Sequence, residues 1–128
     1  MPTSQTPQNI TGRQTTAGAA EETVLLSLNG AVAAATVAVA AGSQLVISDV
    51  IVNAAATANF RIQQANDGVT FFDLVPLRLP ADGNVGQTYG TGITVTGGTA
   101  VVVRVRAETT GGAALVGVNL QGTLNMPV

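Results

Sequence analysis

The carboxylates that fall among the turns and apolar runs of this chain, Asp49, Asp67, Asp73, Asp82 and Glu108, are its candidates for proton transfer. A pair of them at the right separation could hydrolyse a glycoside, one as acid and one as base or nucleophile. Their surroundings argue otherwise. Asp67 in "NDG" and Asp82 in "PADGN" each precede a glycine, where an aspartate bonds its own backbone and shapes a turn. Asp49 interrupts "LVISDVIV", the position of a bulge or of a partnered carboxylate. Asp73 and Glu108 flank apolar runs, where they are expected to be solvated or paired with Arg78, Arg104 or Arg106. The chain has no His, no Cys and no Lys, so Ser4 and Ser27 have no base of the usual kinds and no Ser-His-Asp or Cys-His site can form. The expectation is a protein without catalytic residues, and so not an enzyme.

Ligand chemistry is equally thin. The "NDG" and "PADGN" loops offer oxygen ligands but lack the acidic density of a calcium loop, and no metal is expected. The glycine pairs in "TGGT" and "TTGG" sit between apolar runs, whereas a phosphate cradle needs a glycine-rich turn that opens a helix. Sugar stacking would fall to Tyr89, Phe60, Phe71 and Phe72, the only aromatics. Phe60 and one of the Phe71/Phe72 pair are expected in the core, which leaves a poor platform. No cofactor is expected. "NIT" at Asn9 matches a glycosylation acceptor only by its three letters.

Charge excludes further classes. Charged residues make up 9% of the chain against about 25% in an ordinary soluble protein. The net charge is -2, and Arg13, Arg61, Arg78, Arg104 and Arg106 are scattered along the sequence. Binding to nucleic acid through a basic patch, or to a membrane through a polybasic segment, is therefore not expected. No signal peptide or spanning segment is recognisable, which predicts synthesis in a cytoplasm and export only as part of a larger particle.

The elements that would have to position any site are strands. The chain carries 18 Val and 17 Thr against 10 Leu, with 20 Ala and 15 Gly, a balance in which β-branched residues build the core and glycine the turns. Its 128 residues suit one domain. Residues 1–22 hold Ile10 as their only aliphatic residue larger than alanine after Met1, and are read as an arm, flexible or ordered on a partner. Residues 23–128 alternate short apolar runs with breakers such as "NG", "NDG" and "GTG". Asn-Gly and Asp-Gly accept the positive φ of tight hairpins, and the spacing predicts an antiparallel β-sandwich of about eight strands. Period-two alternation puts Phe60, Ile62, Val75, Leu77, Leu79, Val101, Val103 and Val105 inside, with Arg61, Gln63, Arg78, Arg104 and Arg106 outside. Pro76 lacks a ladder donor and predicts an edge strand or bulge.

The stretch "AVAAATVAVAAGS", residues 31–43, is read as a strand despite its alanines, because Val37 and Val39 are spaced at the strand period. So smooth a segment lets another backbone or subunit approach closely, and a sparsely charged surface has little to hold neighbours apart.

The run "LVISDVIVNAAATANFRIQQANDGVTFFDLVPLRLPADGNVGQTYGTGITVTGGTAVVVRVRA" resembles the small jelly-roll sandwiches of bacteriophage virions: capsid decoration (cement) proteins and the head modules of fibres. The likeness spans roughly residues 23–124 and is one of texture, so it carries over no functional residue. It implies a jelly-roll homotrimer with a terminal arm, seated on the major capsid protein at the virion exterior. The alternative is a receptor- or glycan-binding head of a phage fibre, with turn loops as the binding surface.

Overall fold

The computed structural model describes residues 3–18, 20–79, 83–110 and 112–127, with the side chains of 3, 83–85, 87–91 and 127 excepted. The described residues form ten strands and no helix: β1 (Thr3–Thr15), β2 (Glu22–Val24), β3 (Ser27–Leu28), β4 (Val37–Ala38), β5 (Gln44–Ala54), β6 (Ala58–Ala65), β7 (Phe71–Leu79), β8 (Gly83–Thr96), β9 (Val102–Thr109) and β10 (Leu115–Pro127). One sheet has the order β3-β1-β10-β5-β8. The other runs β2-β9-β6-β7, with β4 also on β9. Strands pair in nested fashion, β1 with β10, β2 and β4 with β9, β5 with β8 and β6 with β7, all antiparallel. That is the order of a hairpin rolled into a jelly roll. Ten strands replace the expected eight because β2 and β4 are two short pieces laid along the same strand, β9, and β3 is a further two-residue piece on β1.

The predicted alternation holds in β9 and in β6 as far as Ile62, but Gln63, expected outside, is buried at 3% exposure on the outer face. Strand β9 alternates half-buried and buried residues along its whole length. Phe60, Ile62, Val103 and Val105 of one sheet are fully buried, as are Val50, Val52 and Val116 of the other. Strand β7 is the edge that Pro76 requires. At "NG", Asn29 (φ 52°) and Gly30 (φ 82°) close a two-residue turn, with Ala31 N donating to Leu28 O at 2.9 Å. Both central residues have positive φ, as a type I′ hairpin demands. Ser48 is skipped in both pairings of β5, so Asp49 does mark a bulge.

Three expectations change. Residues 3–15 do not stand apart as an arm: they are β1, paired along their full length with β10 and partly with β3, with Ile10 only 1% exposed. Backbone pairing on both sides orders a segment that has almost no apolar side chains of its own. The smooth stretch is a strand only at Val37–Ala38. Residues 31–35 are exposed, Val32 by 94%, because alanines give that part no volume to bury. Finally, "TVLLSL" is two pieces, β2 in one sheet and β3 in the other, with Val24 and Leu26 buried at the crossing.

Candidate functional site

Three surfaces gather polar or apolar groups in ways the linear sequence hides. The first is the outer face of the β2-β9-β6-β7 sheet. Register sets Arg61 directly opposite Arg106, and Gln63 opposite Arg104. Two guanidiniums face to face repel, and like charges so placed destabilise a sheet. Glu21, just before β2, resolves this by bonding both. Its Oε2 accepts from Arg61 Nε at 2.7 Å and its Oε1 from Arg61 Nη2 and, at 3.3 Å, from Arg106 Nε. Arg106 Nη1 also donates to Thr23 Oγ1 at 2.9 Å. Asp73 Oδ1 accepts from Gln63 Nε2 at 2.9 Å and from Arg61 Nη1 at 3.3 Å. Arg104 Nε donates to Gln63 Oε1 at 2.8 Å, and its guanidinium lies 3.5 Å from the centre of the Phe71 ring.

The Arg61 hydrogen bond holds the Glu21 carboxyl below its ordinary value, with partial burial opposing. Arg61 is correspondingly raised, and Arg104 is lowered by burial first and by its neighbour Arg106 second. Guanidiniums stay protonated at any ordinary pH, and Glu21 stays ionised. Each of these groups is satisfied by another, so the face reads as a closed network that fixes β2 on the sheet. Asp73, expected beside Arg78, Arg104 or Arg106, pairs with Arg61 instead. Leu74 is skipped in the β6–β7 register, and that bulge turns Asp73 to the outer face. Neither Phe71 nor Phe72 joins the core that Phe60 occupies: Phe71 lies under Arg104, and Phe72 is 45% exposed.

The second surface is an open cleft of about 500 Å³ on the outer face of the other sheet. Adjacent rungs place Arg13, Gly117 and Asn53 in one row and Thr11 and Asn119 in the next. Gly117 is the floor. A Cβ there would meet Asn53 Oδ1 at 2.6 Å, so the Asn53 carboxamide lies across the glycine. Leu25, 50% exposed, forms part of the wall. No side-chain hydrogen bond ties Arg13, Asn53 or Asn119 to another described residue. Asn119 Oδ1 is buried without a donor among the described residues, which costs about 1–3 kcal/mol for a neutral acceptor.

The third is one end of the sandwich, where loops 39–43, 66–70 and 97–101 meet. Gly97 N donates to Ser43 O at 2.8 Å, Gly98 N to Val39 O at 3.1 Å and Val39 N to Val101 O at 3.0 Å. The only charged residue in these loops is Asp67. Its Oδ1 accepts from Val69 N at 2.9 Å and Thr70 N at 2.7 Å, the turn role read from "NDG", and these bonds pull its pKa down to about 2. Val69 beside it is 78% exposed.

Among the described residues no three acidic, His or Cys side chains gather as a metal site would require. Asp82 and the Tyr89 side chain lie outside the described residues. Among the described residues, no helix is long and apolar enough to cross a membrane. Sequence reading passed over Glu21, Asn53, Gly117 and Asn119. Their roles come from cross-strand register, and the only linear signal for Asn53, Gly117 and Asn119 was a polar residue or glycine in or beside an apolar run, with none for Glu21, which lies in the segment read as an arm. Comparison with protein-family models, with curated proteins and with solved structures finds no match to this chain.

Proposed function

We propose that this chain is a structural protein of a virion surface, a capsid decoration protein that packs as a homotrimer on the major capsid protein and catalyses nothing. The observation that carries this reading is the loop end described above. Alanine, glycine, serine and threonine dominate it, Val69 projects from it, and its single carboxylate is turned into its own backbone. Such an end presents few charges to desolvate and little side-chain volume to keep a neighbouring subunit away.

Size favours several copies acting together. Four long strands about 4.8 Å apart and two sheets about 10 Å apart give an end of roughly 400 Å² once side chains are added. A stable interface buries about 800 Å² per partner. One end alone falls short, and joining three in a trimer makes the second and third contacts intramolecular.

The test is incubation of the purified chain with capsids that lack it, with light scattering to give its oligomeric state. A trimer that saturates the particles at a fixed copy number supports the reading. A monomer without capsid affinity sinks it.

A further inference from the structure

The two sheet faces differ in how far their polar groups are already engaged. On the Glu21 face Arg61, Arg104 and Arg106 each have a protein acceptor, and Arg104 a ring beneath it as well, while Arg78 on the edge strand β7 stands apart from that network. In the cleft over Gly117, one guanidinium and two carboxamides converge with no side-chain bond to any described residue. An exposed amide such as that of Asn53 exchanges water for a ligand at little cost, and Asn119, whose Oδ1 is buried without a donor among the described residues, gains a partner when its carboxamide turns outward.

The chemistry of these groups selects the ligand. The floor of the cleft is carried by β10 and β5, which are paired on both sides, so their backbone groups are consumed by the ladders and an added peptide strand has nothing to pair with there; β1 at its side is paired with β3 only at Ile10 and Thr11. Recognition must come from side chains alone. A carboxamide offers a donor and an acceptor side by side, which suits neighbouring hydroxyls that each give and take a hydrogen bond. Arg13, exposed and without a carboxylate partner among the described residues, suits a carboxylate held by two parallel bonds. Leu25 supplies an apolar wall for the C–H face of a ring.

A polyanion fits poorly. Farther along the same face a second cleft, of about 490 Å³, is lined by Asp49 together with Asn9 and Gln121. Gln121 is only two residues along β10 from Asn119, about 7 Å. A ligand extended along β10 would therefore meet one positive group and then a negative one, which favours a single acidic group on an otherwise neutral, hydroxyl-rich molecule.

We infer that the cleft over Gly117 binds an acidic saccharide, with Arg13 pairing its carboxylate and Asn53 and Asn119 taking its ring hydroxyls. The site goes beyond capsid packing and does not depend on it. Asn53 lies nine residues along β5 from the loop end, about 30 Å, so a particle-bound subunit would keep the cleft open.

The experiment is titration of the isotope-labelled chain, followed by NMR, with a sialic-acid-terminated trisaccharide and a glucuronate-containing disaccharide. The same sugars with the carboxylate reduced to an alcohol, and inorganic sulfate, serve as comparators. At least one acidic sugar should shift the Gly117 amide and the Asn53 and Asn119 side-chain amides saturably. The reduced sugars should bind at least about tenfold more weakly, and Arg13→Gln should cost a similar factor. Asn119→Ala, an outward substitution that leaves the core intact, should weaken binding of the acidic and reduced sugars alike. Failure of both acidic sugars to bind, equal affinity for their reduced forms, sulfate binding as well as the sugars, or indifference to Arg13→Gln would each overturn the inference. Capsid binding scored on the same Arg13→Gln protein should be unchanged, so that either activity can fail without the other.

Discussion

Glu21 illustrates how much one side chain can decide when register forces two like charges together. Arg61 and Arg106 face each other across β6 and β9, and a single carboxylate lies between them. With Arg61 39% and Glu21 22% exposed, solvent screens the arrangement, and a surface pair of this kind contributes about 0–1 kcal/mol. Glu21→Gln is expected to destabilise the fold by about 1 kcal/mol in urea unfolding, and added salt should narrow the gap by screening the exposed guanidiniums. Asp67 gives a second residue-scale prediction. Its folded pKa, about 2, lies below the ordinary aspartate value of about 3.9, so the native state holds the proton less tightly than the unfolded one. The stabilisation is therefore full above about pH 4 and drains as pH falls toward 2. Asp67→Ala should remove this part of the acid dependence, and NMR titration of the native carboxyl should place its midpoint near 2. The role of Asp67 was legible because Asp-Gly has a local mechanism. The partner of Asp73 was not: without the skipped Leu74, Asp73 would stand opposite Gln64 and point inward. A bulge changes every face assignment beyond it and leaves no mark in composition.

Strand β1 shows the same limit at the scale of elements. Its Thr, Gln, Pro and Gly content reads as a segment unable to order itself, and in isolation that reading is sound. Order comes from two neighbours distant in sequence: β10 along thirteen paired positions and β3 at two, with Ile10 closing the core beneath. Deleting residues 3–15 would bare a long interior edge of β10 and uncover that core. The expected result is loss of cooperative unfolding and aggregation, seen by circular dichroism and light scattering; a soluble, folded truncate would restore the view of this segment as a dispensable arm. Glycine positions carry a related prediction. At Gly122 a Cβ would lie 2.0 Å from the Val46 carbonyl oxygen, beside the Ser48 bulge. Gly122→Ala must push β10 and β5 apart locally and is expected to cost about 1–3 kcal/mol, the range for overpacking, measured by thermal or denaturant unfolding. Turns and alternating faces, by contrast, were readable from local rules, as Asn29-Gly30 and β9 show.

For the molecule as a whole, composition announced the architecture. Valine and threonine in excess of leucine, regular glycine breaks and no helical period are enough for a two-sheet fold. Which strand lies beside which depends on nested long-range pairing that sandwiches share in texture but not in order. The surfaces were less visible still. Three arginines scattered in sequence meet on one sheet face, while Arg13 alone reaches the cleft on the other. The smooth stretch 31–43 divides into an exposed excursion at 31–35, a short strand at Val37–Ala38 and a loop at 39–43 that meets two others at one end.

The most direct measurement is co-sedimentation of the intact chain, and of its Val69→Lys variant, with capsids prepared without it. Val69 is largely exposed, so the lysine leaves the core alone while placing a charge on the loop end. The account predicts saturation of the particles by the parent chain at a fixed ratio and a loss of at least about tenfold in affinity for the variant. Equal binding of the two, or no binding by either, would contradict it.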